Sequence, residues 1–153
     1  MSYLAWKVLH VLGACLFIGN NLVTPLWRAM AEAKRDPVIL AYSQRLITLT
    51  DYIFTGGGIA LLLGAGHAMA AQQPALWHQS WFLGAYVLFV VSGIVWGAVL
   101  LPIQIAQAKL ARGFADGGPI PERFWQLSRR WTVAGIIASL LPLGSLVLMV
   151  MKP

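Results

Sequence analysis

An all-α, four-helix bundle spanning a membrane is the fold this sequence predicts, and three observations predict it. Hydrophobic residues make up 59% of the chain and charged residues only 10%, more apolar surface than a soluble domain of 153 residues can hide. The apolar residues gather in four runs, Tyr3–Trp27, Thr48–Ala71, Trp81–Ile105 and Trp131–Met151. Each meets or exceeds the ~20 residues a helix needs to cross the hydrocarbon layer. The cations fall almost entirely between the runs. The spans expected are therefore residues 3–27, 48–71, 81–105 and 131–151 of one transmembrane domain, 1–153, folded as two antiparallel hairpins.

The first run has no basic segment before it and no small-residue cleavage site behind it, so it reads as a retained helix and not as a signal peptide. Its exit, RAMAEAKR after Trp27, is rich in helix formers, and Asp36-Pro37 then supplies an N-cap followed by proline at a first helical position. The second helix is thus expected to start at Pro37 and to enter the bilayer through VILAYSQRLITLTD. The third run is similarly prolonged by QIAQAKLARGF, broken by GFADGGPIPE, and followed by a fourth helix opening at Pro121-Glu122. The helices are expected to outlast the membrane on this side.

Orientation follows from the basic residues. Arg28, Lys34, Arg35 and Arg45 lie between the first and second runs, and Lys109, Arg112, Arg123, Arg129 and Arg130 between the third and fourth. The loop QQPALWHQS at Gln72–Ser80 carries no charge. The positive-inside rule places the basic segments in the cytoplasm, and both termini with the neutral loop on the periplasmic side of a bacterial inner membrane. The formal charge of +6 is accounted for by topology and by anionic lipid, with no nucleic-acid partner required. Cys15 stands alone, which excludes an intrachain disulfide and leaves a small packing residue.

Polar residues inside the runs direct the functional reading, because lipid cannot satisfy their hydrogen bonds. On the first helix Lys7, His10, Ala14 and Phe17 share one face, with Gly13 and Asn21 beside it and Thr24 continuing it. Asn20, Asn21 and Thr24 are expected to bond neighbouring helices. On the second helix Gly56, Ala60 and Gly64 recur at four-residue spacing, with His67 one turn beyond. Such a stripe admits another helix or a flat cofactor close to the backbone. His10 and His67 each lie about a turn inside the outer end of their helices, roughly 6–8 Å deep. Consecutive helices are normally neighbours, so the two imidazoles are expected to face each other across a gap bordered by Gly13 and Gly64.

Two imidazoles in that position suit the axial sites of a haem b, with Lys7 placed for a propionate. His78, in the neutral loop between Trp77 and Trp81, is the alternative second ligand. The tryptophans themselves read as interfacial anchors. Copper is the other cofactor this residue set could take, from Met1, Met69, His10, His67 and His78. A cofactor-free scaffold, in which the polar residues only set packing, is a third reading. Near the basic end, Asp51 is expected to pair with Arg28 across the hairpin, as a structural ion pair or a proton relay. Gly56–Gly58 lie in an apolar run and form no nucleotide loop.

Lys7-x-x-His10, continued by Phe17, Gly19 and Pro25 and closed by Lys152-Pro153, resembles the four-helix membrane proteins grouped with the copper-resistance protein D family. That group includes the HemJ-type protoporphyrinogen oxidases. Within it the chain looks most like a branch of uncharacterised predicted integral membrane proteins marked by LHVLGA at Leu9–Ala14 and GNNLVT at Gly19–Thr24. The resemblance implies haem b bound through the first-helix histidine, here His10. A haem with both axial sites filled favours electron transfer over oxygen chemistry, with a redox protein or quinone as the expected partner. HemJ-type proteins carry a histidine and a lysine near the outer start of the third helix. The corresponding WFLGAYVLF at Trp81–Phe89 has neither, which argues against protoporphyrinogen oxidation.

Overall fold

The computed structural model describes residues 1–153. Four long helices account for nearly all of them: α1 Tyr3–Lys34, α2 Pro37–Gln72, α3 Ser80–Gly113 and α4 Glu122–Met151. Each is long and apolar enough to cross a membrane, and there is no strand. The helices run 30 to 36 residues, longer than the hydrocarbon layer requires, and the surplus lies at the end that carries the basic residues, the basic end. The opposite end, with both termini and the short 3-10 turn Pro74–His78, is the neutral end.

The helix boundaries obey the local chemistry. Ser2 caps α1 by accepting from the Ala5 amide, and α1 ends where Arg35 turns left-handed at φ 53°. The Asp36 carboxylate then accepts the Val38 and Ile39 amides at 2.8 and 3.0 Å, with Pro37 at the first position of α2. This satisfies otherwise orphaned N–H groups at the helix start. α3 gives way at Gly113, and Pro121 precedes the first turn of α4.

Two helices are not regular throughout. α2 contains a π-helical turn at Asp51–Gly56 and α3 one at Trp96–Leu100. Both lie between a basic-end half and a neutral-end half, and the two halves pack differently. At the basic end the backbones of α2 and α3 come together, and Ala31, Leu40, Ala111, Phe114 and Phe124 from all four helices and the α3–α4 connection make one apolar cluster. Towards the neutral end the bundle resolves into two close pairs, α1 with α2 and α3 with α4. There no Cα of Gly57–Gln72 lies within 8 Å of a Cα of Ser80–Val95. Side chains bridge the two pairs instead, Phe17 against Phe89 with ring centroids 5.5 Å apart and His67 against Tyr86 at 5.6 Å.

Each close pair is held by a different device. In α1–α2 the backbones touch. A Cβ added at Gly13 would sit 2.9 Å from the Leu62 nitrogen, and one at Gly58 would sit 2.9 Å from the Phe17 nitrogen. In α3–α4 serine hydroxyls bond across the interface, Ser92 to the Ala138 carbonyl at 2.7 Å and Ser145 to the Ala85 carbonyl at 2.9 Å. Both devices are those of membrane helices, which associate by close packing and interhelical hydrogen bonds. The outward faces are apolar, with Leu4, Val8, Ile94, Val133, Leu140 and Val150 all exposed, as a lipid-facing surface requires.

Candidate functional site

His10 and His67 occupy different sides of α2. His10 lies in the α1–α2 seam, where its Nδ1–H donates to the Leu62 carbonyl at 3.0 Å. A carbonyl oxygen only accepts, so this bond fixes the tautomer and leaves the Nε2 lone pair free. The ring lies so close to Gly66 that a Cβ there would meet its Cε1 at 3.2 Å. His10 also shares the face of α1 that carries Phe17, whose ring crosses to α3, and that face looks into the bundle.

His67 lies nine positions beyond Gly58, which turns it about 180° round α2 from the seam. Its Nδ1–H donates to the carbonyl of Leu63 on its own helix, at 2.8 Å, and its Nε2 accepts from the Tyr86 hydroxyl at 3.4 Å. Trp77 stands 6.1 Å away, ring centroid to ring centroid. The side chain is otherwise exposed. The expected confrontation of the two imidazoles is therefore not the arrangement found, because α2 presents Gly58, Leu62 and Gly66 to α1 and His67 to α3.

The glycines explain the shift. Spacing alone points to Gly56, Ala60 and Gly64 as the close-approach stripe, but the contact is made at Gly58, and nothing lies within 4 Å of a Cβ built at Gly64. Three consecutive glycines at Gly56–Gly58 leave the phase of the stripe open, and the π-turn that ends at Gly56 rotates the outer half of the helix. Gly13, expected to border a gap, is filled against by α2 itself. Lys7, His78 and Cys15 are exposed, and Cys15 faces outwards without a packing partner of the kind expected. His10 thus fits a haem or copper ligand by its orientation and tautomer. The two-histidine pocket between α1 and α2 does not fit this packing.

A second polar centre lies towards the basic end. Asp51, at the start of the π-turn, is buried and receives hydrogen bonds from three helical positions. Asn20 of α1 donates to Oδ1 at 2.6 Å, Thr55 donates to the same oxygen at 3.3 Å, and Gln104 of α3 donates to Oδ2. Asn20 also donates to the Thr55 hydroxyl at 2.9 Å and accepts from Thr24 at 3.1 Å. The expectation that Asn20 joins helices holds for this network, whereas Thr24 bonds only Asn20 on its own helix. A void of about 10 Å³ lies beside it, lined by Asp51 and Tyr52 from one π-turn and Trp96 from the other, with Gln104.

The expected pairing of Asp51 with Arg28 does not form. Arg28 bonds Glu32 on its own helix, Nε to Oε1 at 2.8 Å, while its guanidinium lies 4.3 Å from the centroid of the Trp131 ring on α4. The Ser128 hydroxyl donates to the same Glu32 oxygen. An acceptor one turn away on the same helix captures Arg28, and amide and hydroxyl donors hold Asp51 in its place. Gln104 is a residue that sequence reasoning misses. The signal available is a glutamine within an apolar helix, with Gln107 one turn further on, both fully buried.

The chain matches, over residues 4–153, a family model described as a predicted integral membrane protein family, DUF2269. Comparison with curated proteins and with solved structures gives no match. The match covers nearly the whole chain, and the four apolar helices agree with its description. The protein belongs to the DUF2269 family of predicted integral membrane proteins.

Proposed function

We propose that this protein is a redox protein of the bacterial inner membrane that binds haem b near its neutral end, with His10 as the iron ligand. One observation carries the reading: the Nδ1–H of His10 is committed to the Leu62 carbonyl, which leaves Nε2 unprotonated and unpartnered. Metal-bound histidines are held in this way, the second nitrogen fixed by a carbonyl or carboxylate that sets ring orientation and raises ligand basicity. The likeness of Lys7-x-x-His10 to the copper-resistance D and HemJ-type proteins supports the same residue. The separation of the α2 and α3 backbones towards the neutral end supports the location.

Bound haem supplies one-electron exchange, and the protein's part is to hold and enclose it. His67 also presents Nε2, but Tyr86 occupies it, so His67 becomes a second ligand only if the outer half of α2 turns on its axis. His78 in the neutral loop is the other candidate. The number of histidine ligands decides between electron transfer and chemistry at an open iron position. Lys7, exposed at the neutral end, is suited to a propionate. The electron partner would be a quinone or another protein. The lack of histidine and lysine in Trp81–Phe89 argues for a reaction other than protoporphyrinogen oxidation.

The test is an absorption spectrum of protein purified in detergent from cells supplied with a haem precursor, with iron and copper content measured on the same sample. A Soret band is expected in the wild type and lost in folded His10→Ala. A band that shifts in His67→Ala or His78→Ala identifies the second ligand. A band that survives His10→Ala, or folded protein free of haem, defeats the proposal. Stoichiometric copper without haem would transfer His10 to the copper-handling reading, and absence of both would leave a scaffold.

A further inference from the structure

A cleft of about 120 Å³ opens between α1 and α4 near the basic end, lined by Arg28, Glu32, Trp131, Thr132, Gly135 and Ser139, among others. Its polar wall holds one carboxylate, Glu32, and more donors than that carboxylate takes up. Nη1 and Nη2 of Arg28 are buried and have no acceptor, and neither has the indole Nε1 of Trp131. Arg28 is only 4% exposed, so bulk water does not serve it. Of the five N–H groups of a guanidinium, one is used, by Glu32. The Glu32 oxygen that accepts it is shared with Ser128. Two helices thus supply unpartnered donors on Arg28 and Trp131, residues that line one space, and a buried donor without a partner is costly.

Depth identifies what could meet them. Arg28 lies about 25 residues from the start of α1, roughly 37 Å along the helix, beyond a hydrocarbon layer of ~30 Å. This is the level of lipid headgroups. The cleft opens sideways through exposed Pro25, Ala29 and Ile136, and Arg129 and Arg130 are exposed on the preceding turn of α4. Basic pockets between membrane helices on the cytoplasmic side suit anionic headgroups.

We infer that the cleft between α1 and α4 is a binding site for a phosphate group whose negative charge is not compensated by a cation of its own, and whose oxygens accept from the two Nη atoms of Arg28 and from Trp131. A guanidinium presents paired donors to phosphate oxygens, and stacking on Trp131 holds that pair in place. The phosphate can belong to an anionic phospholipid headgroup or be free in solution.

The experiment uses the full chain in two arms. In the first, protein is reconstituted in bilayers of equal parts phosphatidylglycerol and phosphatidylcholine, extracted, and the retained lipid identified by native mass spectrometry. Wild type is expected to keep phosphatidylglycerol about tenfold over phosphatidylcholine, the equivalent of one good charge-assisted contact. Ser139→Leu, which fills the cleft and leaves the Arg28 and Trp131 donors in place, is expected to abolish the preference without lowering the thermal midpoint. Arg28→Gln is expected to abolish it too, at some cost in stability. In the second arm, inorganic phosphate is added to protein in detergent free of anionic lipid. A rise in midpoint that Ser139→Leu removes supports the site and assigns its occupant to free phosphate. Equal retention of the two lipids with no response to phosphate, or a preference that Ser139→Leu leaves intact, overturns the inference.

Discussion

At the neutral end α1 and α2 meet through bare backbone, Gly13 against Gly58, whereas at the basic end the same two helices meet through Asn20, Asp51 and Thr55. The first contact is mainly shape, with one hydrogen bond from His10 to the Leu62 carbonyl, and the second is hydrogen bonding among side chains. Between them stands the π-turn of α2. The contrast shows how a membrane helix pair is specified without a hydrophobic driving force: by closeness where the residues are small, and by donors and acceptors where they are polar. It also separates the chemistry. His10 sits at the end ruled by shape, and Asp51 and Arg28 sit at the end ruled by polarity.

The sharpest way to break the contrast is Gly58→Leu. Its Cβ would lie 2.8 Å from that of Phe17 and 2.9 Å from the Phe17 backbone nitrogen, and backbone cannot yield as a flexible side chain can. A loss of about 3 kcal/mol or more is expected, read as a fall in the unfolding midpoint in detergent. Asp51→Ala attacks the other end. It strands the amides of Asn20 and Gln104, and about 2 kcal/mol should be lost, while Asp51→Asn, which keeps an acceptor for Asn20, should lose less. Equal losses for the two Asp51 variants would show that the network needs the second carboxylate oxygen or its charge, and not merely an acceptor for Asn20.

Ser92→Ala removes one hydroxyl from the α3–α4 interface and should cost about 0.6 kcal/mol, the usual worth of such a bond within a membrane. Gly64→Ala should change stability by no more than ~0.5 kcal/mol, because nothing stands near its added Cβ. A large effect at Gly64 together with a small one at Gly58 would reverse the assignment of the seam.

The helices and their basic-end boundaries were legible in the sequence because hydropathy, Asp36-Pro37 and Pro121-Glu122 each state a local physical constraint. The phase of one helix against another was not. Among Gly56, Gly57 and Gly58 the periodic pattern fits more than one stripe, and only the partner surface at Gly13 and Phe17 selects Gly58. That choice, with the π-turn before it, carries His67 away from His10. Asp51 was recognisable as a buried acid, but opposite charge was a poor guide to its partners. Arg28 had Glu32 on its own helix, and Gln104 lies 53 residues from Asp51 in the chain. His10 as a residue of interest was readable from Lys7-x-x-His10, whereas its bond to Leu62 required the packed pair.

The wide turns at Asp51–Gly56 and Trp96–Leu100 carry a further implication for how the molecule tolerates change. Such a turn holds one residue more than the ordinary coil it replaces, so excising a single residue from it would close the coil and leave everything beyond facing as before. The same excision from a regular stretch of either helix would swing everything beyond it by about 100°. The wide turns are thus the places where a shortened chain, which would still cross the bilayer since helix length is forgiving there, would keep its two ends in step.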